Sequence, residues 1–376
     1  GVPVSPKNIF PSNIQGLPTW FEVRVSEKGY LGRREGVDIV VAMNPQSYNQ
    51  DLMELNSGGY LLYDSSWKRD FKRTDVNVIE IPLTKLCVEE FSNPKQRLLF
   101  KNIVYVGALS YLLDMDKGVY ELLIKEQFKG KEKLIDPNVK ALNLGYNYAR
   151  ENLKEVCEIK IETSDKTKGM ILTSGNDASG LGCVYGGATV CAWYPITPST
   201  SLAEAFTDYS EKLRVEEETN KNKYAIIQAE DELAAVGMAI GANWNGARGF
   251  TATSGPGISL MSEFIGLAYF AEVPLVLFDI QRGGPSTGMP TRTQQSDVLS
   301  CAYASHGDTK HVLLIPSDPK ECFEFAAEAF DLADRIQTPV IVLSDLDLGM
   351  NDWTCPEFEW DDTKSFDKGK VLHAKD

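Results

Sequence analysis

Strand-like apolar runs alternate with helical patterns along the first part of the chain. The runs lie at residues 37–43, 58–65 and 77–82, and helical patterns follow at residues 102–113 and 119–128. We interpret the first run as a buried strand and the other two as a turn with a strand and a third strand. Strands that are spaced widely enough for crossovers predict an α/β layer.

The alternation resumes after a charged, non-periodic segment at residues 151–168. Strands are predicted at residues 224–228, 249–253, 274–280 and 339–344, and helices at residues 180–192, 199–213, 231–242, 260–270 and 319–336. Apolar strands between helices indicate a parallel sheet that is covered on both faces and binds ligands at the carboxyl ends of its strands. No packed element is expected in residues 355–376.

The fold class predicted from these patterns is therefore two α/β domains, the second built on a parallel sheet. We expect an N-terminal domain at residues 1–155, a linker at 156–168, a second domain at 169–350 and an extension at 351–376.

Composition excludes several classes of function. The 376 residues carry a formal net charge of −15, which argues against a nucleic-acid-binding surface. The sequence has neither an apolar run long enough for a membrane span nor the pattern of a secretory signal at its start, so we expect a cytoplasmic protein with no membrane partner. The seven cysteines form no CxxC pair, so an iron–sulfur cluster is not expected on this chain and no metal site is predicted.

The first candidate loop is Trp193-Tyr-Pro-Ile-Thr-Pro-Ser-Thr, in which prolines precede and follow Thr197. Each proline restricts its own backbone and that of the residue before it, so the loop should be stiff. Ser199 and Thr200 then begin a helix whose first amides would favour an anion. An ordinary strand-to-helix turn is the alternative.

The second candidate loop places Glu230, Asp231 and Glu232 between a strand and a helix. Acids at this position are favoured by the helix dipole, and simple capping is the preferred interpretation for the first two. Small residues follow Glu232 and suggest a closely packed, buried helix. A carboxylate beside such a helix needs a partner.

Two glycine-rich loops follow later strands. Gly255 and Gly257 would allow a ligand to approach the backbone, but the pattern of a phosphate-binding P-loop is absent. Arg282 lies between a predicted strand and the loop segment Gly-Gly-Pro-Ser-Thr-Gly. An arginine at this position is suited to bind a carboxylate ligand, and a surface salt bridge is the alternative.

The three histidines, His306, His311 and His373, form no cluster, and no Ser/His/Asp or Cys/His arrangement is evident. The candidate site therefore has no ordinary general base. This is consistent with a cofactor that brings its own acid–base group.

Together, the segments YPITPS, AEDELAAVGMAIGA, TATSGPGISLM, QRGGPSTGMPT and PVIVLSDLDLGMN resemble the alpha subunit of 2-oxoacid:ferredoxin oxidoreductases over residues 175–350. FPSNIQGLPTW and residues 102–113 resemble the gamma-type domain often fused in front of it. The resemblance implies the pyrimidine-binding domain of a thiamine-diphosphate enzyme and CoA-dependent oxidative decarboxylation of a 2-oxoacid, with 2-oxoglutarate favoured by the gamma-type domain.

The resemblance also implies roles for individual residues. Glu232 corresponds to the glutamate that bonds to N1′ of the aminopyrimidine, so that the 4′-nitrogen can take the thiazolium proton. Thr197 and Arg282 correspond to catalytic, substrate-binding positions that hold the carboxylate or keto group. The implied cofactor-binding residues are Glu232, Tyr194, Pro195, Ile196, Ser254 and Gly255.

The diphosphate–Mg²⁺ signature of the family and a set of cluster-binding cysteines are missing from the sequence. The resemblance therefore implies a beta subunit that supplies half of the thiamine diphosphate site, Mg²⁺ and a [4Fe-4S] cluster, and that passes electrons to ferredoxin. We expect a heterotetramer or a dimer of heterodimers. The family's initial Gly-rich turn and the domain after Met350 are also missing, so a fragment is expected. A pyruvate or indolepyruvate oxidoreductase subunit, a decarboxylase and a non-catalytic scaffold remain as alternatives.

Overall fold

The computed structural model describes residues 1–11 and 17–370. They form two compact units, a large unit of Pro3–Leu31 with Lys166–Asp376 and a small unit of Gly32–Asp165. Part of FPSNIQGLPTW and His373 lie outside the described residues.

The division differs from the predicted boundaries at the N-terminus, because the first 31 residues group with the large unit. The strand Val4–Ile9 lies beside the strand Asp352–Pro356 and adjoining residues. The Thr354 hydroxyl donates to the Val4 carbonyl at 3.4 Å, and the Asn8 amide donates to Asn351 Oδ1 at 2.9 Å.

The elements are labelled in chain order. The strands are β1 Val4–Ile9, β2 Trp20–Val25, β3 Val37–Ala42, β4 Leu55–Asp64, β5 Asn77–Ile81, β6 Met170–Ser174, β7 Val190–Trp193, β8 Val215–Glu216, β9 Lys221–Asn222, β10 Ala225–Gln228, β11 Gly249–Thr253, β12 Leu275–Gln281, β13 Val312–Leu314, β14 Pro339–Asp345 and β15 Asp352–Pro356. The helices are α1 Tyr48–Glu54, α2 Leu83–Glu90, α3 Pro94–Leu112, α4 Lys117–Gln127, α5 Ile135–Asn152, α6 Gly175–Tyr185, α7 Thr200–Leu213, α8 Glu232–Trp244, α9 Gly255–Phe270, α10 Val298–Ala302, α11 Pro319–Ile336 and α12 Leu346–Met350, with a short 3₁₀ turn at Glu132–Leu134.

The small unit is built on the parallel sheet β3-β4-β5, which confirms the predicted crossovers. The prediction that residues 37–43 form a buried strand is wrong in its burial, because β3 is an edge strand and is only partly covered. Helices α3 and α5 pack closely where two glycines meet the facing backbone. A Cβ on Gly107 would lie 2.0 Å from the Leu142 carbonyl oxygen, and one on Gly145 would lie 1.8 Å from the Val104 carbonyl oxygen.

The large unit contains a six-stranded parallel sheet of order β10-β7-β11-β12-β14-β13, which confirms the predicted α/β fold. Strands β12 and β14 are buried along their whole length because helices cover both faces. One face packs against α6, α7 and α11, and the other against α8, α9 and α10. The chain passes from β7 to the edge strand β10 and then to β11 on the other side of β7, so the order reverses there.

The predicted helix at residues 180–192 is wrong in its second half. Helix α6 ends at Tyr185, and the same apolar stretch continues as β7 from Val190. Two glycines separate the elements, and Gly187 has φ +79°, in the left-handed region that ends a helix. Small residues on both sides of this break hid it in the sequence.

The expectation that residues 355–376 contain no packed element is also wrong. Strand β15 pairs antiparallel with β6, and Cys355 is buried there. Phe358 stacks on Phe323 of α11 at a centroid distance of 4.8 Å. The sequence pattern missed this segment because its apolar residues are isolated and its strand partner lies far upstream.

Candidate active site

Four loops meet at one edge of the six-stranded sheet. They follow β7, β10, β11 and β12, which are parallel and adjacent, so their carboxyl ends lie side by side. The strand order reverses between β7 and β11, and open α/β sheets bind ligands in the crevice outside the strand ends at such a reversal. The four candidate loops of the sequence analysis are these four loops.

The loop after β7 is held by its own hydrogen bonds. The amides of Ser199 and Thr200 both donate to the Ile196 carbonyl, at 2.9 and 3.2 Å. The Ile196 amide donates to the Thr200 hydroxyl at 3.1 Å. Ser199 makes no side-chain capping bond, and the anion site expected at this helix start stays a prediction. The rigid turn fixes the peptide of Thr197, whose bond to Pro198 is cis.

Arg282 joins the loops after β7 and β12. Its Nη1 donates to the Thr197 carbonyl at 2.5 Å, and its Nη2 donates to the Thr287 carbonyl at 3.0 Å. The side chain is only 6% exposed, and its Nε has no hydrogen-bond partner. Burial lowers the pKa of Arg282, and the charge of Glu232 acts in the opposite direction. No carboxylate within the described residues forms a salt bridge with this guanidinium.

Glu232 is the first residue of α8 and is 7% exposed. Capping of the helix is done by its neighbour Asp231, whose carboxylate accepts from the Ala234 amide at 2.7 Å, as the sequence indicated. Glu230 is exposed. The Glu232 carboxylate is therefore not used by the helix, and over residues 1–11 and 17–370 it forms no hydrogen bond.

The loop after β11 packs tightly against its neighbours. The Ser254 hydroxyl is fully buried and has no partner. A Cβ on Gly255 would lie 2.6 Å from Asp297 Oδ2, and one on Gly257 would lie 1.8 Å from Thr253 Oγ1 and 3.1 Å from Glu232 Cγ. Both glycines are thus required by packing.

Asn176 is a residue of this edge that the sequence analysis missed. It is fully buried at the start of α6. Its Nδ2 donates to the Pro198 carbonyl at 2.9 Å and to the Ser201 hydroxyl at 2.8 Å. These two hydrogen bonds fix the Thr197 turn to helix α6. An amide within a glycine- and alanine-rich segment carries no charge pattern that could have identified it.

The structure thus brings Thr197 and Arg282 into contact and places Glu232 within electrostatic range of Arg282. Of the other predicted residues, Tyr194 and Ile196 are partly buried and Pro195 is exposed in the loop after β7. Ser254 and Gly255 lie in the loop after β11, at the start of α9. The arrangement can bind an anionic or carbonyl ligand and offer it a carboxylate.

Other polar groups do not join this edge. The His311 ring Nε2 lies 2.9 Å from the Ala304 carbonyl, and burial lowers the pKa of His311. His306 is exposed near Glu263. The described part of the chain has no group of three or more His, Cys, Asp or Glu that could hold a metal, and no helix in it is long and apolar enough to cross a membrane.

An α/β crevice with a buried glutamate at the head of a helix defines the class of cofactor-binding domain that the comparisons identify. The family model for pyruvate flavodoxin/ferredoxin oxidoreductase, thiamine diphosphate-binding, matches residues 181–372, and that for pyruvate ferredoxin/flavodoxin oxidoreductase matches residues 1–148. The chain belongs to the pyruvate ferredoxin/flavodoxin oxidoreductase family.

Relatives in this family carry specific names. The chain is 32% identical to 2-oxoglutarate oxidoreductase subunit KorA of Mycobacterium tuberculosis over 90% of its length and 54% of the relative. It is 47% identical to 2-oxoglutarate synthase subunit KorA of Methanothermobacter marburgensis over 46% of its length and 43% of the relative.

A solved structure of 2-oxoglutarate:ferredoxin oxidoreductase from Magnetococcus marinus, with 2-oxoglutarate, coenzyme A and succinyl-CoA bound, is also similar. It matches with TM-score 0.88 and 30% identity over 100% of the chain and 64% of that structure. The chain therefore spans between about half and two thirds of these longer relatives.

Proposed function

We propose that the chain is the alpha-type part of a thiamine-diphosphate-dependent 2-oxoacid:ferredoxin oxidoreductase that converts 2-oxoglutarate and CoA to succinyl-CoA and CO₂. The observation that carries this proposal is the buried guanidinium of Arg282, which no carboxylate of the described residues pairs with and which is held against the Thr197 turn at the edge that also contains Glu232. In this proposal the small unit is the gamma-type domain and the large unit contains the pyrimidine-binding domain.

The residues at the crevice fit the aminopyrimidine half of thiamine diphosphate. The Glu232 carboxylate accepts no hydrogen bond from the described residues, and the buried Ser254 hydroxyl has no partner, so polar groups of a ligand would satisfy both. Glu232 would hydrogen-bond to N1′ of the aminopyrimidine, and the turns at Tyr194–Ile196 and at Gly255 would enclose the ring. When bound, the cofactor supplies the nucleophilic carbon and the acceptor for the electron pair left by CO₂.

Arg282 and Thr197 would bind and orient the 2-oxoacid. A guanidinium that is buried without a carboxylate is a favourable partner for the carboxylate of a substrate. Each Nη atom donates one of its two hydrogens to a carbonyl, so three of the five N–H donors of this guanidinium remain for a ligand. The Thr197 hydroxyl would donate to the keto oxygen, because Arg282 and Asn176 hold the carbonyls of Thr197 and Pro198 in place.

An exposed apolar face on α8 and α9 supports a beta-type partner. On α8 Leu233, Met238 and Trp244 are 39%, 42% and 64% exposed, and Leu260, Leu267 and Phe270 of α9 are 56%, 42% and 89% exposed. The sequence expectation of a buried α8 is therefore wrong for this side, because the helix covers the sheet with one face only. Large exposed apolar areas mark contact surfaces.

Since Glu232 heads α8, a partner on this face would adjoin the crevice. We propose that this partner contributes the diphosphate half of the site with Mg²⁺ and a [4Fe-4S] cluster. It would pass the electrons to ferredoxin in a cytoplasmic complex of two copies of each part. The cysteines of this chain are buried and unbridged, so a cluster would lie elsewhere.

The direct test is to express the chain with a beta subunit from its source organism, purify the complex and measure CoA- and thiamine-diphosphate-dependent reduction of viologen. We expect turnover with 2-oxoglutarate and little with pyruvate or indolepyruvate. Preference for pyruvate or indolepyruvate would transfer the proposal to those oxidoreductases. A complex that binds thiamine diphosphate but reduces no acceptor with any 2-oxoacid would overturn it in favour of a scaffold.

A further inference from the structure

Two aspartates meet behind the Gly255 turn, and no role has been assigned to either of them so far. Asp279 is in β12 and is fully buried, and Asp297 precedes α10 at the end of the loop that begins after Arg282. Their carboxyl groups lie close enough for each to influence the pKa of the other. Asp279 Oδ1 and Asp297 Oδ2 are buried and have no hydrogen-bond partner among the described residues.

Two ionised carboxylates cannot form a hydrogen bond, because both are acceptors. A proton on one of them makes it a donor to the other and satisfies both orphan oxygens. We propose that Asp279 and Asp297 share one proton at neutral pH, and that this proton fastens the end of the Arg282 loop, residues 283–296, to the sheet beside Gly255.

The backbone around the pair is arranged for this contact. The Asp297 amide donates to Gln281 Oε1 at 3.0 Å, and Gln281 Nε2 donates to the Ser344 carbonyl at 3.2 Å. Asp297 Oδ2 would lie 2.6 Å from a Cβ at position 255, so only glycine leaves room for the carboxyl group. The pair therefore connects β12, the Gly255 turn and the start of α10.

Within the described ranges, no basic side chain is close enough to the pair to compensate a second negative charge. Asp279 pairs in register with Thr253 of β11 and Leu343 of β14, which do not ionise in this pH range. Helix α10 contributes the Cys301 thiol, which donates to Asp279 Oδ2 at 3.4 Å. Burial and Asp279 raise the pKa of that thiol, so it stays neutral.

Another carboxylate, at the end of β14, is held separately. Asp345 Oδ1 accepts from the Leu348 amide at 2.9 Å, and its Oδ2 accepts from Gln295 Nε2 at 2.5 Å. Burial, with the neighbouring charge of Asp297, raises the pKa of Asp279 well above its ordinary value, and burial raises that of Asp297.

The sign of the pH dependence follows from these directions. The folded chain binds the proton more tightly than the unfolded chain, whose aspartates titrate near about pH 4. Stability from the pair is thus full below that pH and declines as pH rises towards the raised pKa of the folded pair. Once the shared proton is lost, two adjoining charges should release the Arg282 loop.

Infrared spectroscopy of the full chain tests the proton directly. At pH 7 we expect the carbonyl band of a protonated carboxylic acid in the wild-type chain. Asp279→Asn should remove this band, because an amide can donate permanently in its place. The matched control Asp308→Asn changes an exposed aspartate and should leave the band unchanged. An identical spectrum in this region for the wild type and Asp279→Asn would overturn the shared proton.

Trypsin cleavage after the exposed Arg292 reports whether the pair fastens the loop. At pH 7, Asp297→Ala should be cut at least about tenfold faster than wild type, because a local opening becomes more populated. Asp279→Asn should match the wild type at pH 7 and be cut more slowly than it at pH 9. Equal rates for all three chains at both pH values would refute the fastening role. If Asp297→Ala does not fold, Asp279→Asn still decides it. Activity enters neither readout, so the result is independent of the proposed function.

Discussion

Two arginines are buried to the same extent at opposite ends of the large sheet, with 5% of Arg248 and 6% of Arg282 exposed. Arg248 precedes β11 at the amino edge. It pairs with Asp331 at 2.8 Å and Asp334 at 2.9 Å, and it donates to the Gly186 carbonyl at 2.7 Å. The C-terminal segment completes its surroundings with the Asp367 carbonyl at 3.0 Å and the Phe366 ring at 4.9 Å.

Arg282 at the carboxyl edge has only two carbonyl acceptors and an unpaired Nε. A buried cation is stable when carboxylates of its own chain compensate it, and it is costly when they are absent. Arg248 therefore completes the fold, whereas in the proposed function Arg282 is left for a charge that a ligand brings. The same difference should separate the two edges in experiment, with stability changing at one and catalysis at the other.

The largest expected effect is at the carboxyl edge, for Glu232→Gln in the assembled complex. In the proposed function Glu232 hydrogen-bonds to N1′ of the aminopyrimidine, and loss of its carboxylate should lower kcat by about 10²–10⁴-fold. The Tm of the chain should stay close to wild type, because Glu232 caps nothing. Glu230→Gln, two residues away and exposed, is the matched control and should keep its activity. Wild-type turnover by Glu232→Gln would remove this residue from the mechanism.

Arg248→Met is the corresponding test at the amino edge. It leaves Asp331 and Asp334 buried without their cation, which should lower the free energy of unfolding by about 3–5 kcal/mol. Urea unfolding of the chain measures this. Arg335→Met removes a half-exposed arginine from the same helix region and should change stability by less than about 1 kcal/mol. If Arg248→Met unfolds at the wild-type urea midpoint, the ion pairs of Arg248 and its contacts with the C-terminal segment do not stabilise the fold.

Arg282→Ala should raise KM for the 2-oxoacid about 10- to 100-fold, since a hydrogen bond to a charged group contributes about 1.5–3 kcal/mol. Arg282→Lys should recover part of this loss because it restores the charge without the planar donor set. The affinity for thiamine diphosphate, measured by calorimetry, should change much less than KM. An unchanged KM in both variants would assign Arg282 to structure alone.

Thr197→Ala should have a smaller effect, up to about tenfold on kcat/KM, because one neutral hydrogen bond contributes about 0.5–1.5 kcal/mol. The Thr197 carbonyl that Arg282 holds is part of the backbone and stays in place. The loss should be similar for several 2-oxoacids, since the keto group is common to them. Full activity across such a panel would exclude the Thr197 hydroxyl from the site.

The sequence predicted the strands and loops of the carboxyl edge because local patterns encode them. Strand β11 has the predicted bounds of residues 249–253, and the loops that carry Thr197, Glu232 and Arg282 follow strands as expected. Contacts between distant segments were not predictable in this way. The network of Arg248 depends on isolated residues near position 367, and the pair of β6 with β15 joins segments that share no local pattern.

The buried polar contacts at the site could not be predicted from local sequence patterns either. The pair Asp279 and Asp297 lies on a strand interior and at a loop end, and only the fold brings the two carboxyl groups together. Asn176 supports Thr197 from another helix, and both of its amide hydrogens are used on acceptors more than twenty positions away. The roles of these residues depend on tertiary contacts, so the hydrophobic periodicity of the sequence does not reveal them.

Asn176 gives the finest test of the difference between the edges, because Asn243 makes similar bonds at the amino edge. Asn243 is 8% exposed, and its Nδ2 donates to the carbonyls of Gly249 at 3.1 Å and Pro274 at 2.8 Å. Replacing either asparagine by aspartate removes the donors, so we expect each change to destabilise the chain by about 1–3 kcal/mol.

Only Asn176→Asp should also affect catalysis, because it releases the Pro198 carbonyl and lets the Thr197 turn move. We expect kcat/KM to fall about three- to tenfold, since small displacements of substrate-positioning groups slow the reaction. The assay compares both variants at a temperature well below their Tm, so that each remains folded. Equal losses of kcat/KM in the two variants would show that a buried amide matters for stability at both edges and for positioning at neither.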